Sequence, residues 1–264
     1  MSSIDKDIDA DVDADVDTDV DTGTVAIPNI KIKAKGIAKR FYKDVSVGEA
    51  EGGYVILLDG RRLKTPRKKL LLTSSQSAAN LVAAEWDAQG EDIIPSTMPV
   101  TRLVNVTIEL TPDNRPDLIA EARKYAGTDL LCYRSDETRL YLEHQAENWD
   151  PVLAWAAARG VTLETTLTLK AIPQDEAALD VVADYARGLG DISLTLFVHL
   201  IATFGSAVLA MAVMESHLSG EAAFELSRLD EIWQIKHWGQ VDDAKDRTDI
   251  IRAEIIALCK LLET

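Results

Sequence analysis

A chain of 264 residues with 47% hydrophobic content is long enough for one large domain or two small ones around a real buried core. Its formal charge of −16 argues against nucleic-acid binding, which calls for a basic surface. Cys132 and Cys259, the only two cysteines, and four scattered histidines form neither a disulfide framework nor a zinc cluster, and no cofactor is expected.

The acidity is unevenly placed. Residues 1–22, "MSSIDKDIDADVDADVDTDVDT", hold nine Asp against one Lys, half of the net charge. Asp alternates with Ile, Val, Ala or Thr in imitation of a strand, but like charges at every second position repel, so a solvated tail is expected. Weak binding of calcium or of a basic partner is the alternative. This start resembles neither a secretory signal nor an Arg-rich presequence, and the cytoplasm of a bacterium is the expected location. The basic run "KIKAKGIAKR" (31–40) reads as a linker folding back on the tail, so 1–36 form an expected disordered tail and linker.

Residues 41–73 have a β texture. "GGYVILLDGRRLKTP" holds an apolar run, the turn signal Asp59-Gly60 and a second strand ended by Pro66, and "KKLLLTS" supplies a third. A cap at Ser74 or Ser75 opens a helix that Gly90 stops, and Pro95 and Pro99 frame the start of another, "PVTRLVNVTIEL". These elements give an expected β-rich N-terminal domain, 37–112, with one or two helices.

The remainder, 113–264, reads as a helical C-terminal domain, and the fold class as α+β with a small antiparallel part followed by a larger helical one. Asp113 or Asn114 caps a helix ended by Gly127. "RLYLEHQAENWDPVLAWAAARG" makes one helix interrupted, or two separated, near Asp150-Pro151. Alternation over 161–172 predicts a strand or hairpin arm returning to the sheet, followed by four more helices. Residues 192–214 carry no Lys, Arg, Asp or Glu and meet the length of a membrane span. Two buried helices broken at Gly205-Ser206 account for them better, because His199, three hydroxyl residues and uncationic flanks oppose insertion.

Chemistry has few footholds. Cys132 with His144 and Asp150 or Glu147 supplies the residue types of a Cys/His hydrolase, but Cys132 sits in an apolar run that favours an inert buried thiol. No HExxH spacing and no phosphate-binding loop occurs. The tryptophans, Trp86 and Trp149 among them, read as core anchors whose N–H finds a carboxylate or carbonyl.

One helix is patterned unusually. Taking "AAFELSRLDEIWQIKHWG" (222–239) as a single helix, Ala222, Leu226, Leu229, Ile232 and Trp233 share one apolar face. Phe224, Ile235 and Trp238 gather around Glu231 on the opposite side, with Asp230 on the flank beside His237. Such a helix is either sandwiched inside the domain or presents its second face to a partner, for which an acid among aromatics would be a specificity anchor.

Six stretches in order, "KRFYKDVSV" (39–47), "LLDGRRLKTP" (57–66), "AAEWDAQGEDIIPSTMPVTRL" (83–103), "YAGTDLLCYR" (125–134), "HQAENWDP" (144–151) and "SRLDEIWQIKHWG" (227–239), resemble a known family. They are similar to the assembly chaperones that hold the free alpha subunit of the ATP synthase F1 sector, called ATP synthase assembly factor 2 in mitochondria; this chain is closest in style to an alphaproteobacterial member. The resemblance implies a β-rich N-terminal part, a helical C-terminal part, and an ATP-independent chaperone that is not an enzyme; a monomer when free, without a membrane span, is the accompanying expectation. The resemblance further implies a location in the mitochondrial matrix for eukaryotic members, and a sensitive acid at Asp230 or Glu231. Asp230, Glu231, Gln234, Trp238 and Phe224 are the candidate partner-binding residues; Trp86, Asp129, Cys132, Trp149 and Asp150 form the structural signature. Basic "RKK" after "KTP", and Lys245, depart from the family pattern.

Overall fold

The computed structural model describes residues 38–135, 137–168, 170–238 and 242–263. The acidic tail and most of its linker lie outside them, as do the side chains of Lys245 and Trp238. The chain divides into two compact units, one comprising the described part of Met1–Asn114 with Lys260–Thr264, the other Arg115–Cys259.

In the first unit, β1 (Val45–Ala50) and β2 (Gly53–Leu58) pair antiparallel with Val45 opposite Leu58. Asp59 and Gly60 both have positive φ, 48° and 78°, as the two central residues of a tight hairpin turn require. They deliver β3 (Arg61–Arg62) back onto β2, and β4 (Leu72–Thr73) pairs with the other end of β2 on the same side. Gly53 makes this possible, because a Cβ there would lie 2.1 Å from the Thr73 carbonyl oxygen.

Helix α1 (Gln76–Asp87) begins at Ser75, whose hydroxyl accepts the Ala78 N–H. It buries Ala78, Ala79, Val82 and Trp86 against β1, β2 and β4. The Tyr42 hydroxyl donates to the Trp86 carbonyl at 2.6 Å, whereas the Trp86 indole N–H finds no partner among the described residues. Helix α2 (Pro99–Glu109) follows a short 3₁₀ turn at Pro95–Thr97. The "RKK" run is folded against its end: the Arg67 N–H donates to Glu109 at 2.6 Å and the Lys69 ammonium to the Ile108 carbonyl at 3.1 Å. Lys39 and Arg40 are likewise part of the fold and not of a free linker. Lys39 pairs with Asp92 at 2.7 Å, and the Arg40 guanidinium donates to the Asp87 carbonyl at 2.9 Å and also to that of Gln89.

The next helix, α3 (Thr111–Ala126), starts before the expected Asp113 or Asn114, carries Pro116 within it and contains the unit boundary. The second unit holds α4 (Arg139–Ala157), α5 (Glu176–Gly188), α6 (Asp191–Phe204), α7 (Ala207–Met214), α8 (Gly220–Ser227), α9 (Leu229–Trp238) and α10 (Asp242–Cys259). An antiparallel sheet followed by helices is the expected α+β class.

Several expectations are corrected. Helix α4 runs unbroken through Pro151; buried Trp149 and Val152 on either side hold the turn whose i→i−4 bond proline removes. Residues 161–172 form no strand among the described residues. Its β-type pairing among the described residues is limited to one parallel bridge, Tyr133 to Thr166, and Glu164 is held by Gln174 instead. Among the described residues six α-helices, not four, follow this segment, and residues 192–214 and 222–239 each hold a split. The first split is the expected one: Gly205 adopts a left-handed φ of 66°, the usual helix stop, and Ser206 caps α7 by accepting from Leu209 at 3.0 Å. Both α6 and α7 are buried, and no described helix is long and apolar enough to cross a membrane.

Candidate partner interface on helix α9

The second split changes the site. At Arg228 the backbone leaves helical geometry and its N–H turns back to the Glu225 and Leu226 carbonyls. The Ser227 hydroxyl donates to the Phe224 carbonyl at 2.7 Å, a local bond that competes with helix continuation. The angular count that placed Phe224 beside Glu231 therefore does not carry from α8 to α9. Phe224 is a core residue, 1% exposed, under the guanidinium groups of Arg228 and Arg252 at 5.5 and 5.7 Å. Ile232, assigned by that count to the core face, is 43% exposed, and Ile235 is 37% exposed.

The two acids of α9 have opposite settings. Asp230 is half-buried and turned toward α4, where the Tyr141 hydroxyl donates to its carboxylate and the Gln145 amide donates to the same oxygen at 2.9 Å. Gln145 is fixed in turn by accepting the Ser135 N–H at 2.8 Å. Trp233 completes the seam, its ring stacked on Tyr141 with centroids 4.9 Å apart and near His144 at 5.0 Å. Burial foremost, and then the Asp230 carboxylate, push the Tyr141 phenol well above its ordinary pKa, so it stays a donor. Glu231, Ile232, Gln234 and Ile235 are exposed, and among the described residues Glu231 makes only a surface pair with Arg228 at 3.1 Å. Helix α9 is thus bolted down by Asp230 and Trp233, and presents two isoleucines with one acid and one amide outward.

The Cys132 region is a scaffold. Asp129 is completely buried, with one carboxylate oxygen accepting from Leu131 N–H at 3.1 Å and the other from Val208 N–H at 3.0 Å. It therefore ties the "GTDLLCYR" turn to the start of α7, where the helix dipole favours an anion. Burial nonetheless dominates and raises its pKa to about 6, against the pull of those N–H donors. Arg134 donates to the Leu131 carbonyl at 3.0 Å and to Asp150 at 2.8 Å, and lies over the Trp149 ring at 5.0 Å. Trp149 itself donates to the Leu226 carbonyl at 3.0 Å.

Cys132 is 0% exposed, and desolvation, followed by the nearby Asp129 charge, pushes its thiol up to about 12. A thiol so placed supplies no thiolate at neutral pH, while the His144 ring is engaged by Trp233 and Asn148. The Cys/His hydrolase arrangement is not assembled. A shallow hollow of about 190 Å³ beside Arg134, Leu142, Asp150 and Thr166 is smaller than a typical small-molecule site. Among the described residues no His, Cys, Asp and Glu group could hold a metal ion.

Known proteins place this architecture. A family model described as ATP12 chaperone protein matches residues 39–157. The crystal structure of Atp12 from Paracoccus denitrificans superposes with a TM-score of 0.80 at 33% identity, covering 86% of this chain and 97% of that one. The chain belongs to the ATP12 chaperone family. The Atu1473 protein of Agrobacterium tumefaciens gives a TM-score of 0.82 at 35% identity with 86% of each chain covered. The mitochondrial protein atp12 of Schizosaccharomyces pombe is 26% identical over 226 residues, 79% of this chain and 76% of its own length. As an ATP12-family member the chain is a chaperone of ATP synthase assembly.

Within this ATP12-family fold, sequence reasoning overlooked the residues that fix α9 and α2 from afar. Tyr141 and Gln145 stand four apart on α4, a spacing that puts both on one helix face, yet nothing local points them at Asp230. Glu85 receives the Val100 N–H, the Thr101 N–H and the Thr101 hydroxyl, each at 2.7 Å. It caps α2, whose Met98-Pro99 start supplies no side-chain cap of its own.

Proposed function

We propose that the chain is an ATP-independent holdase for the free alpha subunit of the ATP synthase F1 sector, acting as a monomer in the bacterial cytoplasm. It covers the alpha-subunit surface that later meets the beta subunit and surrenders it by competition. The carrying observation is the outer side of α9, where Glu231, Ile232, Gln234 and Ile235 stand exposed on a helix whose other side is fixed to α4. Exposed branched aliphatics give contact area, and an acid among them rewards only a partner that brings donors. Asp230, held by Tyr141 and Gln145, sets the orientation of that face; Trp238 continues the helix, and Phe224 supports it from the core. No nucleic acid, membrane or cofactor takes part.

Purified chain mixed with isolated alpha subunit tests this reading. A stoichiometric complex and suppressed alpha-subunit aggregation are expected without ATP, with both effects lost in E231K and in I232S/I235S. Unchanged aggregation at equimolar chaperone would refute it.

A further inference from the structure

The structure carries a second charged surface, in the first unit and independent of α9. Residues 61–69, "RRLKTPRKK", hold six cations and no acid. Arg61, Arg67, Lys68 and Lys69 are exposed and Arg62 and Lys64 partly so. Arg61 and Arg62 have their backbone held in place by pairing of β3 with β2, and their guanidinium groups make no hydrogen bond or ion pair among the described residues, the charge of Arg61 being only one minor influence that lowers the Asp59 pKa. Arg67 has Glu109 at 3.8 Å. The nearby Asp59 carboxylate accepts the Lys43 and Asp44 N–H groups at 3.0 and 2.9 Å, so it does not serve Arg61 or Arg62 as a hydrogen-bonded partner.

The complementary charge lies in the same chain. Between Asp5 and Asp21 an Asp occupies every second position, which in an extended chain lines the carboxylates along one side about 6.7 Å apart. The linker does not neutralise them. Of its cations, Lys39 and Arg40 are taken up by Asp92 and by the carbonyls of Asp87 and Gln89. That leaves Lys31, Lys33 and Lys35 against a tail of net −8, so five negative charges remain over. Reach is sufficient. The chain joins the fold at Ala38, whose carbonyl accepts the Ile93 N–H at 2.8 Å. The sixteen residues 22–37 before it can reach at most about 53–58 Å when fully extended. A unit of about 80 residues has a radius of gyration of about 12 Å.

We propose that the acidic segment 5–21 docks on the basic edge made by Arg61, Arg62, Lys64, Arg67, Lys68 and Lys69 of its own chain. The contact is electrostatic, so it weakens as salt shortens the Debye length from about 10 Å at 0.1 M to about 3 Å at 1 M.

Zero-length carbodiimide coupling of the full chain, read by mass spectrometry on an equal mixture of light and heavy isotope-labelled protein, tests the proposal. Links from Asp5–Asp21 to Lys64, Lys68 or Lys69 within one chain are expected at low salt. They should fall at least tenfold in about 1 M salt and in R61E/R62E, whose fold is checked by circular dichroism; should that variant not fold, the salt comparison on the unaltered chain decides. Links confined to Lys31, Lys33 and Lys35 would overturn the proposal in favour of the linker, mixed light–heavy links in favour of a second copy, and salt-insensitive or absent tail links in favour of a solvated tail.

Discussion

Replacing Asp230 and Glu231 separately distinguishes a helix anchor from a surface acid. Asp230→Ala removes the acceptor of the Tyr141 hydroxyl and of the Gln145 amide. Hydrogen bonds to a charged group contribute about 1.5–3 kcal/mol each. Because the site is half-buried and water recovers part of that loss, a net destabilisation of about 2–4 kcal/mol is expected. For a chain of this size each kcal/mol moves Tm by about 2–4 °C, so the variant should melt roughly 4–15 °C lower. Glu231→Ala breaks only an exposed pair with Arg228, worth at most about 1 kcal/mol, so its melting point should move by no more than about 4 °C. Thermal unfolding followed by circular dichroism, paired with alpha-subunit pull-down at a temperature where both variants are folded, provides the readout. Equal melting points for the two alanine variants would refute the anchor role. So would a D230A protein as stable as the parent.

Three further outcomes follow from the buried groups. Glu85→Ala orphans the N–H groups of Val100 and Thr101 and should destabilise by about 2 kcal/mol, measured by urea unfolding with an unchanged m-value. Asp129 has a folded pKa of about 6 against about 3.9 unfolded. The folded state therefore binds its proton more tightly, and this group's contribution to stability falls as pH rises from about 4 to 6 and is level above that. The stability of the parent minus that of Asp129→Asn should decline by up to about 3 kcal/mol across this window; a difference that rises instead would mean that the N–H donors outweigh burial. Cys132 should resist a thiol reagent in the native protein at neutral pH and react only on unfolding, with labelled positions located by peptide mapping.

Much of the fold is written locally. The positive-φ pair Asp59-Gly60, the Ser75 cap, the Gly205 stop with Ser206 behind it, and the apolar 192–214 run each act through neighbours a few residues away, and the structure has them where the sequence puts them. What misled was phase and partnership. A helical wheel assumes that one helix continues, and a single non-helical residue at Arg228 resets the count, which moved Phe224 inward and Ile232 outward. The alternation in 161–172 resembled a strand because extended coil and strand share a period of two; only the presence of a pairing partner separates them, and Tyr133 offers a single bridge.

By itself, then, the sequence determined the order and kind of most elements, the helix stops and caps, and through six ordered stretches the resemblance to a chaperone family. Tertiary structure decided which of two adjacent acids is held by another helix and which stays exposed, that Glu85 caps a helix fifteen residues away, and that Cys132 is fully buried. Local periodicity encodes which face a residue takes on its own element. Hydrogen bonds between Tyr141 and Asp230, or Asp129 and Val208, span 89 and 79 residues of chain and exist only once the elements have packed.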